Sequence, residues 1–159
     1  MKRAWPAIAK AALYGGIAAG PPDILVAAAI NRVPPLLILK AVASGLLGAS
    51  AYRPGASAVL TGLLLQILMS VVIAGIYAFA AFRIGFLRYR PLLGGLLYGT
   101  GVFVVMNLVV VPLSAMTPRP AVTPLLVVLN LLAMFVFGVI VSLIAARLVR
   151  RALDHPQSG

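Results

Sequence analysis

The chain has 159 residues, of which 63% are hydrophobic and 9% are charged. Soluble domains carry about 25% charged residues, so this composition excludes an ordinary soluble fold and requires a surface that faces lipid. The absence of cysteine excludes disulfides, thiolate metal sites and cysteine nucleophiles, and the single histidine, His155, lies near the C-terminus. We therefore expect no metal site, no cofactor and no histidine-based catalysis within a membrane.

The net charge of +11 comes from Lys and Arg residues at the ends of apolar runs. This pattern is typical of membrane anchors and topology signals, and not of a continuous nucleic-acid-binding face. The predicted partner is a lipid bilayer, with no nucleic acid. Trp5, between Lys2, Arg3 and Lys10, is typical of an interfacial anchor.

The first predicted membrane span covers about residues 8–30, which is close to the ~20 residues that a bilayer core requires. Pro21 and Pro22 lie within it and should kink or break the helix, because proline has no backbone N–H. The alternative is a cleaved signal peptide with a site at Ala27–Ala29. Asp23 and the two prolines argue against that alternative, since they interrupt the apolar centre.

A short apolar stretch follows the first span, and it includes Lys40. Residues 36–47 are too few to cross a bilayer. We expect an interfacial helix over about residues 35–47, with Lys40 reaching to water, and the alternative is a re-entrant segment.

Three further spans are predicted over about residues 56–82, 91–114 and 122–146, giving one membrane domain over residues 1–152 and a polar tail over residues 153–159. The N-terminus, the 83–90 loop and the end of the last span each carry three basic residues, whereas the other side has four in all. The positive-inside rule then predicts a bacterial inner-membrane protein with both termini in the cytoplasm.

Each predicted span has one face of small residues at helical spacing, which predicts close helix packing and an all-α, four-helix membrane bundle. The same faces carry a side-chain acid or amide. A helical rise of about 1.5 Å per residue places these groups in the middle and outer part of the bundle, as a polar pocket open to the outside. The alternative is that the amides only join helices by hydrogen bonds. The packing residues are Gly16, Gly20, Gly62, Gly95, Gly99 and Gly138, and the polar residues are Asp23, Gln66, Asn107 and Asn130.

Asp23 is one of only two acidic residues, and the other, Asp154, lies near the C-terminus. An ionisable group at membrane depth is expensive and is therefore a functional candidate. It either carries a proton or cation, or forms a structural hydrogen bond or an ion pair with Arg32.

The segment from Gly94 to Ser114, with its Pro-Leu-Ser-x-x-Thr-Pro end at residues 112–118, resembles a run in uncharacterised bacterial four-helix inner-membrane proteins of the YagU-type group. The resemblance implies a four-span fold and a link to acid resistance, but it supplies no established activity. Members of the group often have histidine near the positions of Gln66 and Asn130, so a titrating role at these two positions is not implied here.

For function, the residues favour a protein that acts by association within the membrane, as a subunit, an accessory factor or a homo-oligomer. The alternative is a proton-coupled or small-solute transporter that uses the pocket around Asp23. We expect no enzyme activity, because one carboxylate without histidine or cysteine in the bundle leaves too few catalytic groups.

Overall fold

The computed structural model describes residues 5–116 and 123–154, and within these ranges it is all helical, which confirms the predicted all-α class. Predictions that concern Lys2, Arg3, Arg119, His155 and the end of the tail lie outside the described residues. The elements are α1 (Trp5–Asn31), α2 (Pro35–Leu47) with a 3₁₀ turn (Gly48–Tyr52), α3 (Ser57–Arg83), α4 (Gly85–Tyr89), α5 (Pro91–Val105) with a π turn (Met106–Val110), α6 (Val111–Leu113) and α7 (Pro124–Asp154).

Helix α1 runs through Pro21 and Pro22 without ending, so the expected break does not occur. The two prolines remove the N–H groups that would bond to the carbonyls of Ile17 and Ala18. Membrane helices tolerate such prolines when their surroundings satisfy the freed groups. Helix α1 packs extensively against both α3 and α7, so neighbouring helices surround the segment that carries the prolines.

Five segments are long and apolar enough to cross a membrane, so the predicted number of four spans is not confirmed. The additional candidate is Pro35–Tyr52, whose 18 residues include the 3₁₀ turn that extends α2. The expectation of a segment too short to cross counted only the apolar residues before this turn. The interfacial or re-entrant placement of α2 stays a prediction.

Helix α7 is longer than expected, because it continues past residue 146 to Asp154. The basic residues that follow the apolar run are good helix formers, so nothing in the sequence ends the helix there. The 83–90 segment likewise contains the short helix α4 instead of an irregular loop.

Helices α1 and α3 are antiparallel and approach closely at two glycines of α1. A β-carbon added at Gly16 would lie 2.6 Å from the Cα of Val71, and one at Gly20 would lie 2.9 Å from the Oγ of Ser70. Trp5, at the start of α1, stacks on Phe79 near the end of α3. The N-terminus of α1 therefore lies at the same end of the bundle as the C-terminus of α3.

Helices α5 and α7 form a second antiparallel pair, in which glycines from both sides face each other. A β-carbon at Gly95 would lie 2.9 Å from the Gly138 carbonyl oxygen, and one at Gly138 would lie 3.1 Å from the Cα of Gly99. A β-carbon at Gly99 would overlap the Met134 carbonyl. This spacing allows backbones to approach more closely than side chains of ordinary size would permit.

Helix α2 packs on α3 around Ala58 and Gly62. A β-carbon at Gly62 would overlap the Leu39 carbonyl, and Ala43, Ala51 and Ala58 form a small buried cluster. The C-terminal end of α2 reaches the end of α6, where the Ala115 N–H donates to the Gly45 carbonyl at 2.9 Å. Helix α2 therefore lies at the end of the bundle where α3 begins.

The opposite end of the bundle is held by α7 and α4. The Arg150 Nε donates to the Arg88 carbonyl at 2.8 Å. The guanidinium groups of Arg88 and Arg150 each lie 5.0 Å from the centre of the Tyr89 ring. The buried Tyr77 hydroxyl donates to the Leu87 carbonyl at 3.1 Å, and Tyr77 packs edge-on against Tyr98. These contacts attach α4 to the ends of α3 and α7.

Replacing Gly99 by Ala should destabilise the bundle by about 1–3 kcal/mol, because the new β-carbon forces the backbones of α5 and α7 apart. Gly101 is the matched control on the same helix, since a β-carbon there meets nothing within 4 Å. Gly101→Ala should leave the free energy of unfolding unchanged or raise it by up to about 1 kcal/mol. Unfolding by a denaturing detergent, followed by circular dichroism, measures both changes, and equal effects would contradict close packing at Gly99.

Candidate functional site: a carboxylate and an amide between three helices

A side chain to side chain hydrogen bond between α1 and α3 joins Asp23 and Gln66. The Gln66 Nε2 donates to the Asp23 Oδ2 at 3.1 Å. Asp23 lies one turn beyond Gly20 on α1, and Gln66 lies one turn before Ser70 on α3, where the two backbones are close. The close approach of these helices therefore brings the amide within reach of the carboxylate.

The third wall of the site is helix α7. A cavity of ≈ 10 Å³ separates it from α1 beside Asp23, and every other residue that lines the cavity is apolar. A space of this size holds about one water molecule. The lining residues are Ala19, Pro22, Asp23 and Val26 of α1 with Ala133, Val136, Phe137 and Ile140 of α7.

Asn107 and Asn130 are not brought to this pair. The Asn107 Nδ2 donates to the Phe103 carbonyl at 2.8 Å, and the Asn130 Nδ2 donates to the Leu126 carbonyl at 2.8 Å. Both amides thus bond the helix that carries them, and neither lines the cavity at Asp23. The structure therefore unites two of the four predicted polar residues and places the other two separately, on the π turn after α5 and on α7.

Arg32 does not pair with Asp23, although the sequence left this alternative open. It lies directly after α1 in the left-handed backbone region, with φ 54°, where the chain turns towards α2. The hydrogen-bond partner of Asp23 is the Gln66 amide. The negative charge of an ionised Asp23 would therefore have no counter-charge in direct contact among the described residues.

The chemistry available at the site is narrow. A carboxylate can accept hydrogen bonds when ionised or donate one when protonated, and a glutamine amide can do both. Within residues 5–116 and 123–154, no group of three His, Cys, Asp or Glu side chains could hold a metal ion. The site can therefore join α1 to α3, or take and release one proton.

Two further interhelical hydrogen bonds were not predicted from the sequence. The Tyr98 hydroxyl donates to the Ile73 carbonyl at 2.6 Å, and the Tyr77 hydroxyl bonds α4. Buried tyrosine hydroxyls usually find a partner. The signal available in the sequence was the position of Tyr98 between Gly95 and Gly99, on the segment of α5 that packs closely.

Comparisons with known proteins give this chain no relative: no protein-family model matches it, and no curated protein or solved structure is significantly similar to it. The resemblance of the segment at residues 94–114 to the YagU-type group stays a prediction.

A double-mutant cycle with Asp23→Leu and Gln66→Leu should give a coupling of about 0.6–1.7 kcal/mol, the range for hydrogen bonds between membrane helices. Unfolding in detergent measures the free energies. As a control, Gln66→Leu and Asn107→Leu should be additive within about 0.5 kcal/mol, because these residues share no contact. Additivity of the Asp23 and Gln66 substitutions would contradict an energetic role for their hydrogen bond.

Proposed function

We propose that the chain is a multi-pass bacterial inner-membrane protein that acts by association with further copies of itself. In this proposal four segments span the bilayer, α2 lies at the outer surface, and both termini are cytoplasmic. The apolar helices support membrane insertion. The observation that carries the association is that two amides, Asn107 on the π turn after α5 and Asn130 on α7, bond only the helices that carry them.

The distribution of basic residues supports the orientation. One end of the bundle brings together the start of α1, the end of α3, α4 and the end of α7, and the other end is less basic. Positive residues concentrate on the cytoplasmic side of membrane proteins. Among the described residues, the first end carries Lys10, Arg83, Arg88, Arg90, Arg147, Arg150 and Arg151, and the second carries Arg32, Lys40 and Arg53.

The contacts of α2 support a position at the outer surface. It packs on α3 around Gly62, near the end where α3 begins, and its Gly45 carbonyl accepts a hydrogen bond from Ala115, just after α6. The Lys40 Nζ donates to the Arg53 carbonyl at 3.1 Å, which suits a lysine in the interfacial region.

The span formed by α5, the π turn and α6 is the least covered of the bundle. Its inner part packs on α7 through Gly95 and Gly99, but the Met106–Val110 turn has no extensive contact outside its own span. Leu108 is 71% exposed and Leu113 is 82% exposed. Exposed apolar side chains suit lipid and another helix equally, so these residues alone do not identify a partner.

The amides of Asn107 and Asn130 distinguish a surface that faces lipid from one that faces another helix. Asn107 is exposed on this span, and Asn130 is half-buried on α7. Gly99 of α5 lies opposite Met134 of α7, and the two helices are antiparallel. Counting along both helices from this contact places Asn107 and Asn130 at depths that differ by about one helical turn. Each donates once to its own helix and retains a second N–H and a carbonyl oxygen. In lipid these groups find partners only on another protein surface, which favours a second copy.

The transport alternative has no specific observation in its favour. The cavity at Asp23 is too small for a solute and its walls are otherwise apolar. Transport of a proton by Asp23 stays a prediction.

We expect native mass spectrometry of the protein in a mild non-ionic detergent to detect a homo-oligomer. The double variant Asn107→Leu, Asn130→Leu should weaken self-association by about tenfold, because the hydrogen bonds between copies are lost.

Asn31→Leu is the matched control for this experiment. The Asn31 Nδ2 also donates to a carbonyl four residues earlier, Ala27, at 2.8 Å, but it lies at the end of α1 where water supplies partners. This variant should associate like the natural chain. A monomer at every protein concentration, or equal weakening by both sets of substitutions, would contradict the proposal.

A further inference from the structure

An open groove of ≈ 480 Å³ runs between α1 and α7 at the basic end of the bundle. The two helices meet at Gly15 and Val141. The groove lies next to this contact, on the side of α1 that faces away from α3. It is lined by Tyr14, Ile17 and Ala18 of α1 and by Ile144, Arg147, Leu148 and Arg151 of α7. The groove therefore has a long apolar part and a cationic end.

The cationic end has two arginines with the spacing of one helical turn. Arg147 and Arg151 lie four residues apart on one face of α7. Lys10 lies one turn before Tyr14 on α1, and the antiparallel register of Gly15 against Val141 brings it to about the level of Ala146, next to Arg147. Three positive charges thus surround the same end of the groove.

These arginines differ from their neighbours in having no described partner. Arg150 bonds the Arg88 carbonyl, and Arg88 bonds the carbonyls of Ala81 and Phe82. Arg147 and Arg151 are exposed, and no carboxylate of the described side chains contacts them. Asp154 lies three residues after Arg151, and its side chain lies outside the described residues. Because both groove arginines are exposed, an anion can reach their guanidinium groups.

We infer that this groove binds an anionic phospholipid of the inner leaflet. The phosphate would lie between Arg147 and Arg151, and one acyl chain would follow Ile17, Ile144 and Leu148 towards the membrane centre. Guanidinium groups bind phosphate oxygens in paired hydrogen bonds. Basic pockets between membrane helices on the cytoplasmic side suit anionic head groups.

The shape of the groove identifies a lipid as the occupant in preference to a free phosphate ion. A free ion would use only the two arginines and leave the apolar length of the groove to other molecules. Tyr14 combines a ring and a hydroxyl where the apolar and cationic parts meet, which is the position that amphipathic rings prefer in a membrane. The inference depends on membrane insertion with the basic end inside, but it does not depend on self-association.

The test is a lipid titration by native mass spectrometry of the full chain in a mild non-ionic detergent. We expect phosphatidylglycerol to bind more tightly than phosphatidylcholine of the same acyl chains. Arg147→Gln or Arg151→Gln should weaken the binding of phosphatidylglycerol by about fivefold each, and the double variant by about 25-fold. Phosphatidylcholine binding should change little.

Arg53→Gln is the control, because it removes one positive charge at the opposite end of the bundle and should leave phosphatidylglycerol binding unchanged. Glycerol 3-phosphate, added in excess, distinguishes the two sources of phosphate. It should compete weakly because it lacks acyl chains. Displacement of the lipid by an equal concentration of glycerol 3-phosphate would show a simple phosphate site and overturn the inference.

Equal affinity for the two lipids, or equal losses in Arg53→Gln and the groove variants, would also overturn it. The thermal midpoint of each variant shows whether the protein is folded, and Arg147→Lys provides a second folded variant that keeps the charge. It should retain more lipid binding than Arg147→Gln. The same spectra report the oligomeric state, so a failure of lipid binding is distinguishable from a failure of the proposed self-association.

Discussion

The bundle depends on the close approach of helix backbones at glycine. Lipid offers no hydrophobic reason for apolar helices to associate, so contact between them has to come from short-range packing and hydrogen bonds. Gly62 allows α2 to rest on α3 against the Leu39 carbonyl, and Gly99 and Gly138 allow α5 to rest on α7. Larger residues at these positions would push the backbones of the helix pairs apart.

The Asp23–Gln66 hydrogen bond follows from this packing. Gly20 and Ser70 bring α1 and α3 together one turn away, and only then does the amide reach the carboxylate at 3.1 Å. The small cavity lies on the other side of Asp23, against α7, and Ala19 and Ala133 are the smallest residues that line it. The pair is therefore a product of the α1–α3 interface, and any function of Asp23 would depend on that interface.

Much of the architecture could be predicted from the sequence because long apolar runs and small-residue spacing act locally. Each of the six predicted packing glycines lies where a β-carbon would come within 3.0 Å of a neighbouring segment. The arrangement of helices around the bundle axis could not be predicted in the same way. Asn107 and Asn130 share the spacing of Gln66 on their helices, yet each bonds the carbonyl four residues earlier on its own helix and not a side chain of another helix. The number of spans was also ambiguous, because the length of α2 depends on a 3₁₀ turn that apolar content does not reveal.

In the proposed topology, Asn31 and Ser57 both lie at the outer surface, and α2, which connects them in sequence, stays on that side of the bilayer. Ile84 lies at the inner surface. The natural chain has no cysteine, so single cysteines at these three exposed positions can be labelled without background. A membrane-impermeant maleimide should label Asn31→Cys and Ser57→Cys in intact spheroplasts, and Ile84→Cys only after permeabilisation. Labelling of Asn31→Cys and Ser57→Cys from opposite sides would show that α2 crosses the membrane, and external labelling of Ile84→Cys would show that the orientation is reversed.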